Sequence, residues 1–481
     1  MLFNSFEFIF VFLPVVFVGY FLLCKISNNI SKVWLLFSSL FFYGWWNPKY
    51  LPLILVSLFI NFFVGSLLGR NYPIWKRKVI LTIGIVFNVC LLGYFKYYDF
   101  FISNINFVLG TDFDILHLLL PLAISFYTFQ QIAYLVDSYR LETKGYNLLN
   151  YSLFVTFFPQ LIAGPIVHHK EVMSQFQDKR NNKVIYRNMG IGLFIFAMGL
   201  FKKVGMADTF AVWASEGYNM ADKLSFIDAW ITSLSYTFQL YFDFSGYSDM
   251  AIGLGLLFNI RLPINFNSPY KALSIQDFWK RWHMTLTNFL TRYIYIPLGG
   301  NRKGVIRTYI NILIIYLVSG FWHGAGWTFI VWGLLHGVAS MINRMWTRAG
   351  LRMNKVLAWF ITFQFVNATW VFFRAPDFST AMHVFKGMVG LNGKFIPNEF
   401  SRVEFLDRFA ANFYTFPLAE GFLIPFAMVI IGLVISVFAK NSIELGSKLK
   451  TNFATALFTS ALLVYSIFQL QKVSEFLYFN F

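Results

Sequence analysis

Two histidines stand where a histidine is costly. His323 lies in Ser319-Gly320-Phe321-Trp322-His323-Gly324-Ala325-Gly326-Trp327, well beyond the nearest upstream charge, Arg307. At a rise of 1.5 Å per residue it sits about 24 Å up a helix from that charge. That is deep in a membrane or near its far side, where an ionisable group is a functional candidate by default. Imidazole is base and acid within reach of ambient pH. Gly320, Gly324 and Gly326 strip side chains from the backbone around it, so another chain or a ligand can come close. The same small residues also suit helix packing.

His283 belongs to a second stretch. Ser274 and Asp277 read as a capping box, opening a helix expected to run to about Arg292. On it Trp279, His283, Leu286 and Leu290 share one face, while Lys280, Arg281, Asn288 and Arg292 fall on the other. Spacing alone leaves His283 open between a site residue and a satisfied buried histidine. Asp243 and Asp249 break the apolar run 229–260, as part of a proton or ion path or as a polar plug. His336 reads as structural. His168-His169 has no further ligand at metal spacing, so no metal site is expected. Gly253-Leu254-Gly255 lacks the third glycine of a dinucleotide loop, and no Walker loop or His-Glu-x-x-His is present.

The elements that must hold these residues are membrane helices. The 481 residues are 57% hydrophobic and only 13% charged, with mean hydropathy +0.58. A soluble domain carries about a quarter charged residues, so soluble, disordered and fibrous classes are excluded. The net charge of +17 suggests nucleic acid only until its placement is considered. The basic residues lie in short stretches between apolar segments, as cytoplasmic loops do, and no nucleic-acid partner is expected. Cys24 and Cys90 cannot build a disulfide framework.

Apolar runs at 2–23, 33–46, 51–68, 79–95, 115–136, 189–206, 229–260, 308–323, 326–343, 356–373, 421–439 and 453–470 predict an all-α polytopic protein with about 11–12 transmembrane helices. Residues 149–164, interrupted by Pro159, Gly164 and Pro165, are too short to span and read as re-entrant. Residues 2–23 lack a basic leader and a cleavage signal, and read as a retained span. Lys25, Lys32, Arg70, Lys76–Lys78, Arg140, Lys144 and the basic 261–307 stretch mark cytoplasmic loops, which places the N-terminus outside. One membrane domain covers 1–481. Its N-terminal spans occupy 1–146, a core with re-entrant and interfacial helices occupies 147–345, and C-terminal spans with an external loop at 374–420 occupy 346–481.

Several longer motifs now stand in order: LPLAISFYTFQQIAYLVDSYR at 120–140, FFPQLIAGPIV at 157–167, YFDFSGYSDMAIGLG at 241–255, DFWKRWHMTL at 277–286, YIPLGGNRKG at 295–304, SGFWHGAGW at 319–327 and WVFFRAP at 370–376. Together they resemble the membrane-bound O-acyltransferases, in the branch of bacterial alginate O-acetylation and peptidoglycan or other polysaccharide O-acetyltransferases. The resemblance implies helices around a central funnel or tunnel, with His323 as the catalytic histidine inside it and His283 as the second histidine, on the cytoplasmic side.

It also implies an enzyme of the bacterial cytoplasmic membrane. Such an enzyme takes an acetyl group from a cytoplasmic thioester, acetyl-CoA or another, with no bound cofactor, and passes it outward to an extracytoplasmic polysaccharide. An extracytoplasmic partner of the SGNH-hydrolase type is implied, in a setting of membrane lipid. In this scheme His323 is the general base, with an acyl-imidazole as a variant, and His283 orients the thioester or its carbonyl. Trp279, Lys280, Arg281, Trp282, Trp322, Asp243 and Asn288 are further candidates for substrate or donor binding. Lys280, Arg281, Arg302 and Lys303 could hold donor phosphates, or could be ordinary loop charge. The alternatives are acyl transfer of D-alanine to teichoic acid, a transporter or flippase of an acylated intermediate, and a non-catalytic scaffold. The polymer itself is not written in the sequence.

Overall fold

The computed structural model describes residues 1–143, 146–162, 164–393, 396–397, 413–414, 421–450, 452–470 and 477. In hydrocarbon every backbone group must find its partner inside the protein, so helices dominate. A helix lies in each of the twelve apolar segments. Six are long and apolar enough to cross a membrane on length and composition: Glu7–Cys24, Pro48–Leu68, Ile74–Leu109, Tyr186–Asn219, Val305–His323 and Lys355–Arg374. Leu423–Phe438 and Phe453–Gln469 are apolar but shorter. Asn28–Gly44, Ile124–Tyr139, Phe226–Leu257 and Trp327–Arg348 complete the set. Outside helices, the described residues hold one parallel pairing, Ile396–Pro397 with Phe413–Tyr414.

The helices that miss the apolar criterion show why counting runs overestimates lipid-facing spans. Ile124–Tyr139 is buried on nearly every side and carries Ser125, Thr128, Gln130, Gln131 and Asp137 inward. Its partners are polar too: Gln131 Oε1 accepts from Ser57 Oγ and Asn61 Nδ2, each at 2.7 Å. The run at 115–136 is also shorter as a helix than expected, because no regular structure precedes Pro121.

The 149–164 segment, expected to be re-entrant, forms two short helices. Leu148–Thr156 stops at Phe157, a second short helix spans Phe158–Leu161, and both are buried. The chain leaves and returns at one place, since Tyr146 Oη lies 2.8 Å from His169 Nδ1. The basic loops gather on that same face. Lys32 donates to Asn150 Oδ1, Arg77 to the Tyr139 carbonyl, and Arg292 to Glu142 Oε2.

The expected break at Asp243–Asp249 is absent. Phe226–Leu257 is one continuous helix. It lies backbone to backbone against Tyr186–Asn219: a Cβ on Gly253 would sit 2.6 Å from the Gly192 carbonyl, and one on Gly246 2.7 Å from that of Gly199. This approach brings Lys203 Nζ to 2.6 Å from Asp243 Oδ1 and 2.8 Å from Asp208 Oδ1, and pairs Lys202 with Asp249. The carboxylates are neutralised by the neighbouring helix, so the helix continues through them. Ser442 Oγ and the Leu477 amide add bonds to Asp249 and Asp243.

A second close approach builds the hairpin that carries His323. Gly320 faces the Phe329 carbonyl and Gly333 the Tyr316 carbonyl, so that Val305–His323 packs tightly on Trp327–Arg348. Of the loop expected at 374–420, Phe378–Met388 is a helix tied to Trp230, whose Nε1 donates to the Met388 carbonyl at 3.0 Å. Most of the remainder lies outside the described residues.

Two outcomes test this packing. Gly333→Val would press a branched side chain on a backbone carbonyl that cannot yield, and overpacking costs about 1–3 kcal/mol. A lower thermal midpoint in detergent is expected, and an unchanged one would contradict the close approach. Lys203→Met would strand two buried carboxylates, at a cost of about 3–5 kcal/mol. The membrane content of folded protein should fall sharply, and adding Asp243→Asn should recover part of it.

Candidate active site

His323 is the last residue of Val305–His323, and Gly324 ends the helix with an extended backbone. Its ring is 2% exposed. Trp322, Trp332 and Phe373 wall it, with ring centroids 4.9, 5.3 and 5.2 Å away. The turn that presents it is clamped from the Ile74–Leu109 helix. A π-turn at Gly93–Tyr97 advances two side chains onto three successive carbonyls. Tyr97 Oη donates to the Phe321 carbonyl at 2.8 Å. Lys96 Nζ donates to Trp322, to His323 at 3.3 Å and to Ser125 Oγ at 3.2 Å. π-turns often sit at functional sites, but nothing in the sequence marked this one.

His283 reaches the same place by an unexpected route. The expected continuous helix 274–292 is broken: Ile275–Trp279 ends in a turn, and Met284–Leu290 begins a new helix. Ser274 does cap the first piece, accepting from the Asp277 amide at 3.1 Å. Asp277 reaches back to the Leu273 amide instead of completing the box on Ser274. The break falls on His283 itself, at φ 44° in the left-handed region that non-glycine residues rarely enter. The turn sends the imidazole inward. It ends 0% exposed, with its centroid 6.4 Å from His323, 6.0 Å from Trp322 and 4.8 Å from Phe244. Charge and hydropathy placed the two histidines toward opposite sides of the membrane; the structure puts their rings side by side.

The other candidates separate. Trp279 is buried and donates to His336 Nδ1 at 3.2 Å. An indole N–H only donates, so His336 carries its proton on Nε2, which lies 3.0 Å from Thr369 Oγ1. Both nitrogens of His336 are spent, as a structural residue requires. Trp282 is buried against Phe278 and Trp370, and Trp322 stacks on Phe129 beside His283. Trp332, Trp370 and Phe373 complete this aromatic collar. Asp243 is engaged by Lys203, one residue before the Phe244 that touches His283. Lys280 and Asn288 are exposed and do not reach the rings, and Arg281 pairs with Asp277 at 2.8 Å. Arg302 and Lys303 are exposed in the same basic loop.

Two cavities flank His323 along its helix. A cavity of about 300 Å³ is lined by Lys96, Asp99, Tyr98, Gly324, Ala325 and Phe329, beyond the helix end. A cavity of about 30 Å³, room for a single water, lies on the other side, between Trp279, Thr287, Tyr316 and Ser319. The His323 ring lines neither of these two cavities, which meet its helix on either side of the aromatic collar.

Asp137, His168 and His169 do come together, 31 and 32 residues apart in sequence, as a metal site would require. Their hydrogen bonds read otherwise. Asp137 Oδ2 takes the His168 and His169 nitrogens at 2.8 and 3.0 Å and the Tyr293 hydroxyl at 2.6 Å, with Arg292 and Arg140 beside Oδ1. His168 Nδ1 accepts from the Lys170 amide, which fixes the proton on the nitrogen facing Asp137. Burial holds His169 below its ordinary pKa. In this arrangement the three groups satisfy one another, and the cluster ties the 148–161 segment to its neighbours.

Comparisons with known proteins give the family. The sequence model of the membrane-bound O-acyltransferase family covers residues 40–375, and so spans both histidines. A peptidoglycan O-acetyltransferase of Helicobacter pylori is 50% identical over the whole chain and 98% of its own length. A probable alginate O-acetylase of Pseudomonas aeruginosa is 40% identical over 81% of this chain and 75% of its own. A teichoic acid D-alanyltransferase of Streptococcus thermophilus is 29% identical over 49% of this chain and 59% of its own. The chain is an acyltransferase, a multi-pass member of the membrane-bound O-acyltransferase family.

Proposed function

We propose that this enzyme carries an acetyl group from a thioester on the cytoplasmic side to a hydroxyl acceptor on the far side, for O-acetylation of peptidoglycan. The observation that carries the reading is the pair of neighbouring imidazoles, His323 and His283, in a dry aromatic wall between two cavities. The full-length likeness to a peptidoglycan enzyme favours that polymer over alginate, and both over D-alanyl transfer, where the likeness covers half the chain.

A hydroxyl attacks a thioester only as its proton leaves. His323 takes that proton while the oxygen bonds to the acyl carbon. The carbon–sulfur bond then breaks, and the imidazolium returns its proton to the departing sulfur, which leaves as a thiol. Exclusion of water by Trp322, Trp332 and Phe373 limits hydrolysis of the thioester. The 30 Å³ inner cavity cannot hold the arm of a thioester donor. The outer cavity, with Lys96 and Asp99 in its wall, supplies the acceptor side. The inner membrane, an N-terminus outside it, acetyl-CoA as donor and an SGNH-type partner that receives the acetyl group belong to the same reading. A flippase or scaffold would need neither histidine.

His323→Ala should reduce base-released acetate in purified peptidoglycan to background, a loss on the order of 100-fold or more for removal of a general base, with membrane protein levels intact. Acetylation at the parent level would remove His323 from the mechanism.

A further inference from the structure

The turn that carries His283 is held by one side chain, Asn265, and that side chain decides which face of the imidazole is chemically active. Asn265 is 0% exposed. Its backbone carbonyl accepts from the Met284 amide at 3.0 Å. Its Oδ1 faces three groups of the His283 turn: His283 Nδ1 at 3.0 Å, the Thr285 hydroxyl at 3.0 Å and the Thr285 amide at 3.4 Å. The Thr285 hydroxyl oxygen is itself occupied by the Ile166 amide at 3.0 Å, so its hydrogen points to Asn265. Backbone N–H groups only donate. The atom of Asn265 that meets them must be the acceptor oxygen, and its amide nitrogen then points toward Ser248 Oγ at 3.4 Å.

One consequence is forced. Facing an acceptor, His283 Nδ1 must carry the hydrogen, so in the neutral ring Nε2 is a bare lone pair. That Nε2 is buried with no hydrogen-bond partner among the described residues. A buried acceptor left without a partner carries an uncompensated desolvation cost. The left-handed backbone at His283 adds strain to it. Such costs mark a site completed by something that is not the protein.

We infer that Asn265 is a positioning residue: it locks His283 as the Nδ1–H tautomer and presents Nε2 to the substrate as an acceptor only. This inference rests on the proposed function. It changes the part His283 plays there. An acceptor lone pair cannot hold a thioester carbonyl oxygen; it holds a group that brings its own hydrogen, an O–H or N–H of the substrate. Asn265 lies 18 residues before His283, in Asn265-Phe266-Asn267-Ser268-Pro269-Tyr270, which the motif reading left without a role.

The test uses the full chain in cells whose peptidoglycan acetylation depends on it, with Asn265→Leu and Asn265→Asp. Aspartate keeps an oxygen for Nδ1–H but buries a charge; leucine keeps the volume and loses the acceptor. Positioning predicts that Asn265→Leu loses acetylation on the order of 100-fold, while Asn265→Asp stays within about 5-fold of the parent. The detergent thermal midpoints should run the other way, with Asp the less stable. A purely structural role predicts that acetylation follows the midpoints, and that result, or parent-level activity in Asn265→Leu, would overturn the inference. If Asn265→Leu does not reach the membrane, Thr285→Val takes its place. It removes the hydroxyl that orients Oδ1 and should cost about 10-fold; no loss would be equally contrary. His283→Ala separates the two levels: full acetylation there would sink the role of His283 in the proposed function, whatever Asn265 does.

Discussion

A histidine ring walled off from water cannot choose where its proton sits; its neighbours choose. This constraint runs through the centre of the molecule. His336 is fixed by an indole that can only donate, and becomes inert. His168 is fixed by a backbone amide and turns its hydrogen to Asp137. His283 is fixed by an amide oxygen and keeps one lone pair unspent. Three imidazoles of the same chain, His283 and His336 fully buried and His168 partly so, are thus given different work by their partners. The chemistry comes from the partner as much as from the ring.

Bringing the two site histidines together demands that the rest of the fold be stiff. Gly320 and Gly333 let the His323 hairpin close on itself, and Lys96 and Tyr97 clamp its last carbonyls. On the other side, Phe244 touches His283 from a helix that stays straight because Lys203 and Lys202 neutralise its aspartates. The buried ion pairs therefore support the wall of the site without entering the reaction. The collar of Trp322, Trp332, Trp370 and Phe373 surrounds the rings with apolar surface. Protection of a thioester and access to it are opposed demands on one set of side chains.

Much of this was legible in the sequence. The composition excluded a soluble fold, and helices lie in all twelve apolar runs. Pro159 and its neighbours marked the break between the short helices Leu148–Thr156 and Phe158–Leu161. The depth and glycine surroundings of His323 singled it out, and the motif order gave the family. What escaped was long-range. The inward turn at His283 depends on Asn265 and Ile166, which periodicity over 274–292 cannot register; an amphipathic pattern was read as one helix lying at the surface. The aspartates of 243–249 looked like a break because their lysines sit about forty residues earlier on another helix. Asp137 was not matched to His168 and His169 for the same reason. Lys280 and Asn288 lie within or beside the motif in sequence, and the structure leaves both exposed.

The most direct test of the central claim is to see the proton itself. Protein labelled with 15N at histidine, studied by magic-angle-spinning NMR in bilayers and assigned by difference against His283→Gln, reports which ring nitrogen of His283 carries hydrogen. The account predicts a neutral ring with Nδ1 protonated and Nε2 bare at neutral pH. A ring protonated at Nε2, or on both nitrogens, would contradict it.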